Sequence, residues 1–214
     1  MTFSDRDYQT AAHAAIFEAW KKYRSTLLVL ATGLGKTICA ANVIKAIQPK
    51  RTMVLAHRDE LIIQAKEKIE AVTGLPVEIE KADQVASTSL FHRTPVVVSS
   101  IQTQISGPKD SRRYLRFRPE DFGVLICDEC HHSVSKSWKE VIAHYQKNLE
   151  LKLLGLTATP KRFDEKALGQ LFESVAFEYG IRDAIRDGGW LTSPSNLYQC
   201  EAWTFRMSEL PPEI

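Results

Sequence analysis

The hydrophobic positions of the chain follow two patterns: short continuous apolar runs, and longer stretches in which apolar residues recur every three or four positions. Continuous runs are typical of strands buried on both faces, and the periodic stretches are typical of amphipathic helices. The runs predict strands at Thr26–Ala31, Thr52–Ala56, Pro95–Ser99, Phe122–Cys127, Leu151–Thr157 and Val175–Tyr179. The periodic stretches predict helices over residues 6–23, 37–47 and about 58–71. This alternation favours an α/β domain with a mostly parallel central sheet and helices on both faces.

Composition narrows the class of protein. The 214 residues are enough for one domain, and 44% hydrophobic with 25% charged residues is typical of a folded one. No apolar run approaches the ~18–20 residues of a membrane span, the N-terminus has no signal-peptide pattern, and four cysteines do not indicate a disulfide scaffold. We therefore expect a reduced, cytoplasmic setting without a membrane. The net charge of +2 does not exclude nucleic acid, because 28 basic residues can cluster on one face.

The segment after the first strand predicts a phosphate-binding loop. It contains Thr32, Gly33, Leu34, Gly35, Lys36 and Thr37, and it opens a helix. Glycines let backbone N–H groups surround phosphate oxygens, and the helix N-terminus adds partial positive charge. Lys36 would reach the β- and γ-phosphates, and the Thr37 hydroxyl would bind Mg²⁺. Leu30 stands where the general pattern has its first glycine, so a simple glycine turn is the alternative.

A second candidate is the acidic pair Asp128 and Glu129, which follows the strand that ends at Cys127. Asp128 could hold Mg²⁺ directly or through water, and Glu129 could orient and deprotonate an attacking water. A strand followed by two carboxylates is a weak signal alone. Together with the phosphate loop, it predicts a nucleotide-hydrolysis site.

The same stretch also matches patterns for haem attachment and zinc binding. Cys127, Cys130, His131 and His132 supply the required residue types. We expect neither group, because there is no export signal and no second cysteine pair, and because Cys127 fits as a core residue at the end of a strand.

These motifs, in their order, resemble the first RecA-like domain of a superfamily 2 helicase. The closest match is the DExH branch shared by restriction-enzyme motor subunits and DNA-repair helicases. The matching segments are 6–9, 31–37, 55–61, 99–103, 128–131 and 155–160. The resemblance covers about residues 3–200, which implies a RecA-like ATP-binding domain over 1–200 and a linker, or the start of another domain, over 201–214.

The resemblance implies roles for further residues. Gln9 would hydrogen-bond the adenine edge and Arg6 would stack on its face, although an ordinary exposed arginine is the alternative for Arg6. His57 and Arg58 would bind a nucleic-acid phosphate, unless they are only a solvated helix start.

Two further groups of residues carry implied roles. Ser99, Ser100 and Thr103 would contact the next phosphates, with helix capping as the alternative. Thr157 and Thr159 would couple the nucleotide site to strand binding through His131, or they simply end a strand.

The basic and aromatic residues 112–118 lie outside these motifs. They could grip a nucleic-acid backbone and stack on bases. A helix with Leu115 packed inward and its arginines in water is favoured instead. Trp138 and His144 are predicted to be structural.

The implied function is ATP-dependent movement on nucleic acid, with ATP and Mg²⁺ as cofactors and DNA favoured over RNA. Members of the family place arginines from a second RecA-like domain against the γ-phosphate, and we expect this chain to lack that partner and to hydrolyse ATP weakly. The alternatives are a restriction-enzyme translocase of double-stranded DNA, an RNA helicase, an unrelated phosphate-loop ATPase, and a nucleic-acid-binding module with a dead nucleotide site.

Overall fold

The computed structural model describes residues 6–57, 59–89, 93–130, 133, 135–158 and 168–187. Residues up to 178 belong to one compact unit, and residues from 179 onward belong to a second. The predicted segment 201–214 lies outside the described residues, as do Arg58, His131, His132 and Thr159.

The first unit is built on a sheet of seven strands. Their bounds are β1 Ser25–Leu30, β2 Thr52–Ala56, β3 Val77–Glu80, β4 Val96–Ser100, β5 Val124–Cys127, β6 Lys152–Thr157 and β7 Ser174–Tyr179. The order across the sheet is β3-β4-β2-β5-β6-β1-β7. The pairs β1–β6, β6–β5, β5–β2, β2–β4 and β4–β3 are all parallel. The six predicted strands are confirmed, and β3 is an addition.

Five helices accompany the strands in the described part of the first unit. They are α1 Asp7–Lys22, α2 Lys36–Ala46, α3 Asp59–Thr73, α4 Ile101–Gln104 and α5 Lys136–Tyr145. The three predicted helices correspond to α1, α2 and α3, whereas α4 and α5 were not predicted. Among the described helices, none combines the length and the apolar character that a membrane span requires.

The central strands are buried on both faces, which explains their continuous apolar runs. One face carries Leu27, Met53, Val97 and Leu125 into a core with the aromatic residues of α5 and of the segment before β5. On β6, Gly155 leaves no room for a side chain, because a Cβ there would lie 2.6 Å from both Leu27 and Phe172. The parallel arrangement brings the carboxyl ends of the strands to one edge of the sheet, where ligands bind in such folds.

In the second unit, the described residues form a short helix, Ile181–Arg186. The Asp183 carboxylate accepts the N–H of Gly180 at 2.9 Å and thereby caps this helix.

His144 is buried on α5, which agrees with the structural role predicted for it, and its burial is expected to make the stability of the fold dependent on pH. Its Nε2 lies 2.8 Å from the Phe117 carbonyl, which can only accept, so Nε2 carries the proton. The other ring nitrogen is buried and has no hydrogen-bond partner among the described residues. Burial lowers the pKa of His144, an effect that Lys147 reinforces and that the Phe117 bond and Glu120 oppose.

Acidification is therefore expected to destabilise the fold through His144. Because the folded pKa lies below the unfolded value of about 6.5, the unfolded chain binds more protons as the pH falls. The stabilising contribution of His144 is complete above pH ~6.5 and is lost as the pH falls toward the folded pKa. Urea unfolding of wild type and His144→Gln at pH 7.5 and pH 5.5 measures this effect. If acidification lowers the free energy of unfolding of wild type by no more than that of the variant, His144 is not the source of the pH dependence.

Candidate functional site

The phosphate loop connects β1 to α2 in a conformation that depends on two glycines. Gly33 and Gly35 have φ values of 84° and 81°, in the left-handed region that favours glycine. Gly35 is also the N-cap of α2, so Lys36 and Thr37 are the first two residues of that helix. Leu34 is buried and anchors the loop, whereas Thr32 and Gly33 are exposed. The loop therefore presents its exposed backbone and the α2 N-terminus on one side, as anion binding requires.

The Lys36 side chain lies over the end of β1. Its ammonium group donates a hydrogen bond to the Leu30 carbonyl at 3.2 Å. A phosphate oxygen is a stronger acceptor for an ammonium group than a neutral carbonyl is. Lys36 is therefore held next to the loop by an interaction that a nucleotide can replace.

The residues at the start of α1 are bonded to the phosphate loop. Gln9 is buried, its amide donates to the Leu34 carbonyl at 3.4 Å, and its oxygen accepts the Arg6 N–H at 3.0 Å. The Tyr8 hydroxyl donates to the same Leu34 carbonyl at 3.0 Å. A Cβ on Gly35 would lie 2.6 Å from the Gln9 amide nitrogen. Gln9 thus supports the loop directly, and the predicted contact with adenine requires it to exchange these bonds.

The acidic pair follows β5, two strands away from β1. Neighbouring strands are ~4.8 Å apart, so the two strand ends are separated by roughly 10 Å. The Asp128 N–H donates to the Leu55 carbonyl at 2.9 Å, and its carboxylate accepts the Glu129 N–H at 3.0 Å. Glu129 has a φ of 48°, a left-handed conformation that is costly for a residue with a side chain and that is found preferentially at functional sites.

The electrostatics of Asp128 suit a cation. Burial raises the pKa of its carboxyl group, and the neighbouring Glu129 raises it further. Lys36 and Lys68 act in the opposite direction. A divalent cation would relieve the repulsion between the two carboxylates, and oxygen ligands from Asp128 and Thr37 are those that Mg²⁺ prefers. The residues present therefore fit the predicted Mg²⁺.

The described residues predicted to contact nucleic acid lie at or just after the ends of β2 and β4 in the structure. His57 is half-buried and directly follows β2. Ser99, Ser100 and Thr103 are buried, with at most 7% of each residue exposed. The Ser100 hydroxyl accepts the Thr103 N–H at 3.1 Å and caps α4, and the Ser99 hydroxyl donates to the Glu80 carbonyl at 2.9 Å. The Ser99 and Ser100 hydroxyls thus bond within the fold, as the helix-capping alternative describes for Ser100, and a phosphate contact of these residues stays a prediction.

The coupling threonine Thr157 is fully buried at the end of β6. It is in register with Val29, one residue before the end of β1. This position lies between the acidic pair and the phosphate loop, as the predicted coupling role requires, whereas its predicted partners His131 and Thr159 lie outside the described residues.

Residues 112–118 form neither a nucleic-acid grip nor a solvated helix. They make a short 3-10 turn in which Tyr114 and Phe117 are buried and Leu115 is 41% exposed. The arginines of this segment pair with acids of the fold: Arg112 with Glu140, Arg113 and Arg116 with Glu80, and Arg118 with Asp121. The prediction that Leu115 packs inward was wrong, because the spacing of a 3-10 turn buries Tyr114 and Phe117 instead.

The cysteines beside the acidic pair are core residues. Cys127 and Cys130 are fully buried, and burial raises the pKa of each thiol far above its usual range. A metal binds the thiolate form, which this environment disfavours.

Two further features were not predicted. A cavity of about 450 Å³ lies between the phosphate loop and α3, with Lys68 in its wall. The buried Glu80 on β3 binds two arginines. No local motif marks either residue, since each acquires its partners only when distant segments pack together.

The sequence is similar to known ATP-driven nucleic-acid proteins. The family described as "Type III restriction enzyme, res subunit" matches residues 2–162. A putative mitochondrial ATP-dependent helicase of Schizosaccharomyces pombe is 32% identical over 199 residues, which are 88% of this chain and 31% of that protein. The type I restriction enzyme EcoAI endonuclease subunit of Escherichia coli is 28% identical over 194 residues, 86% of this chain and 23% of that protein. The chain thus spans less than a third of the length of these relatives.

Solved structures share the fold. The type ISP restriction-modification enzyme LlaGI, in complex with a DNA substrate mimic, aligns with a TM-score of 0.62 and 21% identity over 87% of this chain and 21% of that one. The UvsW helicase of bacteriophage T4 aligns with a TM-score of 0.62 and 18% identity over 83% of this chain and 61% of that one. At these identities the likeness shows the RecA-like fold alone, which agrees with the predicted fold.

Proposed function

The chain belongs to the family of the type III restriction enzyme res subunit, and we propose that it is the ATP-binding lobe of a DNA-dependent helicase or translocase. The observation that carries this proposal is the placement of two motifs at one edge of the sheet. The phosphate loop follows β1, the acidic pair follows β5, and only β6 separates these strands. A nucleoside triphosphate is the ligand that needs both an anion-binding loop and a carboxylate pair for Mg²⁺ and water.

In the proposed mechanism the chain mainly positions the phosphates and stabilises their charge. Backbone N–H groups of the loop and of the first turn of α2 bind phosphate oxygens. Lys36 leaves the Leu30 carbonyl and binds the β- and γ-phosphates. Thr37 and Asp128 would hold Mg²⁺, which supplies charge neutralisation at the phosphates when bound. Glu129 orients the attacking water and accepts its proton.

The proposed partners are nucleic acid and a second RecA-like domain. An arginine from such a domain contributes roughly 10³–10⁵ in rate in phosphoryl transfer. DNA is proposed over RNA because one relative is a restriction enzyme subunit and one structural neighbour is bound to a DNA mimic. His57 remains a candidate phosphate contact, since it directly follows β2 and is partly accessible.

A restriction-type motor is a second candidate for the parent function. A type I restriction enzyme subunit is among the relatives, and the resemblance to restriction-enzyme motors implies movement along double-stranded DNA as the alternative. Two assays on a parent chain that carries both lobes distinguish the candidates. One measures displacement of a third strand from a DNA triplex, and the other measures displacement of one strand from a duplex. Triplex displacement alone identifies a translocase, and strand displacement identifies a helicase.

ATP turnover by the 214-residue chain tests the proposed need for a second lobe. We expect the chain to bind MgATP but to hydrolyse it close to the background rate, with little stimulation by DNA, because the completing arginine is supplied by another domain. Phosphate release is measured with and without single- and double-stranded DNA, with Glu129→Gln as the background control. Robust DNA-stimulated turnover that Glu129→Gln abolishes would contradict the need for a second lobe.

A further inference from the structure

The cavity beside the phosphate loop has a second wall that belongs to no nucleotide-binding motif. Gly33 and Lys36 are among its loop residues, and α3 lines the opposite side with Glu67, Lys68, Ala71 and Val72. Its volume of about 450 Å³ lies within the usual range for small-molecule sites. A ligand on the exposed face of the loop is therefore also close to α3.

Lys68 is the cation of this second wall. The Lys68 side chain is exposed on α3. Another part of α3 packs against α2. Lys36 begins α2, so the cavity has one ammonium group on each side.

We propose that Lys68 is a second phosphate-binding cation, which contacts the nucleotide polyphosphate from α3 while Lys36 contacts it from the loop. This inference rests on the proposed function, because it assumes that the cavity holds a nucleoside triphosphate. A nucleoside triphosphate carries about four negative charges, and Mg²⁺, one lysine and the partial charge of the α2 N-terminus together neutralise only part of them. Glu67 in the same wall weakens the field of Lys68, so the contribution is expected to be moderate.

Binding of a fluorescent ATP analogue to the full chain, in the presence of Mg²⁺ and at low salt, tests the inference. Lys68→Gln should weaken binding roughly 5- to 10-fold, and the difference should shrink as salt is added. Lys68→Arg should retain most of the affinity, because it keeps the charge. Lys45→Gln is the matched control, since Lys45 is an exposed lysine of α2 that does not line the cavity.

The outcomes separate the two proposals. Weaker binding by Lys68→Gln, with Lys45→Gln and the melting temperature without nucleotide unchanged, supports a direct contact. If Lys68→Gln binds the ATP analogue as tightly as wild type does, the role of Lys68 is overturned and the proposed function stays intact. A folded wild-type chain that binds no ATP overturns both.

Discussion

Replacing Lys36 with alanine is expected to weaken MgATP binding by roughly 10- to 100-fold, which corresponds to the loss of about 1.5–3 kcal/mol for a hydrogen bond between charged groups. Within the described part of the chain, the Lys36 ammonium donates its hydrogen bond to the neutral Leu30 carbonyl, at 3.2 Å. Replacing Lys36 therefore removes the cation that would bind the nucleotide phosphates and leaves no cavity in the core. Isothermal titration of wild type and variant with MgATP measures the loss.

The stability of the Lys36→Ala variant is the internal control. Thermal unfolding without nucleotide should be nearly unchanged, because Lys36 is only partly buried. If the variant bound ATP as well as wild type, the loop would not be the phosphate site, and a nucleic-acid-binding module with a dead nucleotide site would become the better description.

The second large effect is expected at Glu80, whose replacement with alanine should destabilise the fold by about 2–4 kcal/mol. Glu80 is fully buried. One carboxylate oxygen accepts Arg113 at 2.6 Å and Arg116 at 2.8 Å, and the other accepts the Ala86 N–H at 2.6 Å. The loss leaves two arginines without their shared partner, although the Arg116 side chain is 37% exposed and water compensates part of the cost.

Glu18→Ala is the matched control for Glu80→Ala. Glu18 pairs with Lys21 on the surface, and both side chains are more than two-thirds exposed. Its replacement should cost less than about 0.5 kcal/mol. Urea unfolding compares the two variants, and equal losses would show that the Glu80 cluster does not stabilise the fold.

The parts of the fold that were predicted correctly are those with an unambiguous local pattern. β2 and β5 are continuous apolar runs because both faces of the sheet are covered. β3 was missed because Val77–Glu80 alternates apolar and acidic residues over only four positions, which is a weak signal for a short edge strand. α5 was missed although Ser135 stands at its N-cap position, because its ten residues, Lys136–Tyr145, make fewer than three turns and so carry a short periodic signal.

The residues of the candidate site likewise fall into those that a local sequence pattern marks and those that it does not. The positions of Lys36, Thr37 and Asp128 beside strand ends were predictable because glycine spacing and apolar runs are readable along the chain. The sequence left two interpretations of Ser100 because a serine that caps a helix and a serine that binds a phosphate occupy the same kind of position; in the structure Ser100 is buried and caps α4. Lys68 was missed because its position beside the phosphate loop depends on the packing of α3 against α2.

Amide hydrogen exchange with and without MgATP tests whether the phosphate loop and the acidic pair form one nucleotide site, because it locates the nucleotide on the chain. We expect slower exchange in peptides that cover residues 31–38 and 127–130, where the phosphates and the acidic pair meet, and much less slowing there in Lys36→Ala when both proteins are compared at a nucleotide concentration near the wild-type dissociation constant. Saturating nucleotide that leaves both segments of wild type unchanged would contradict it.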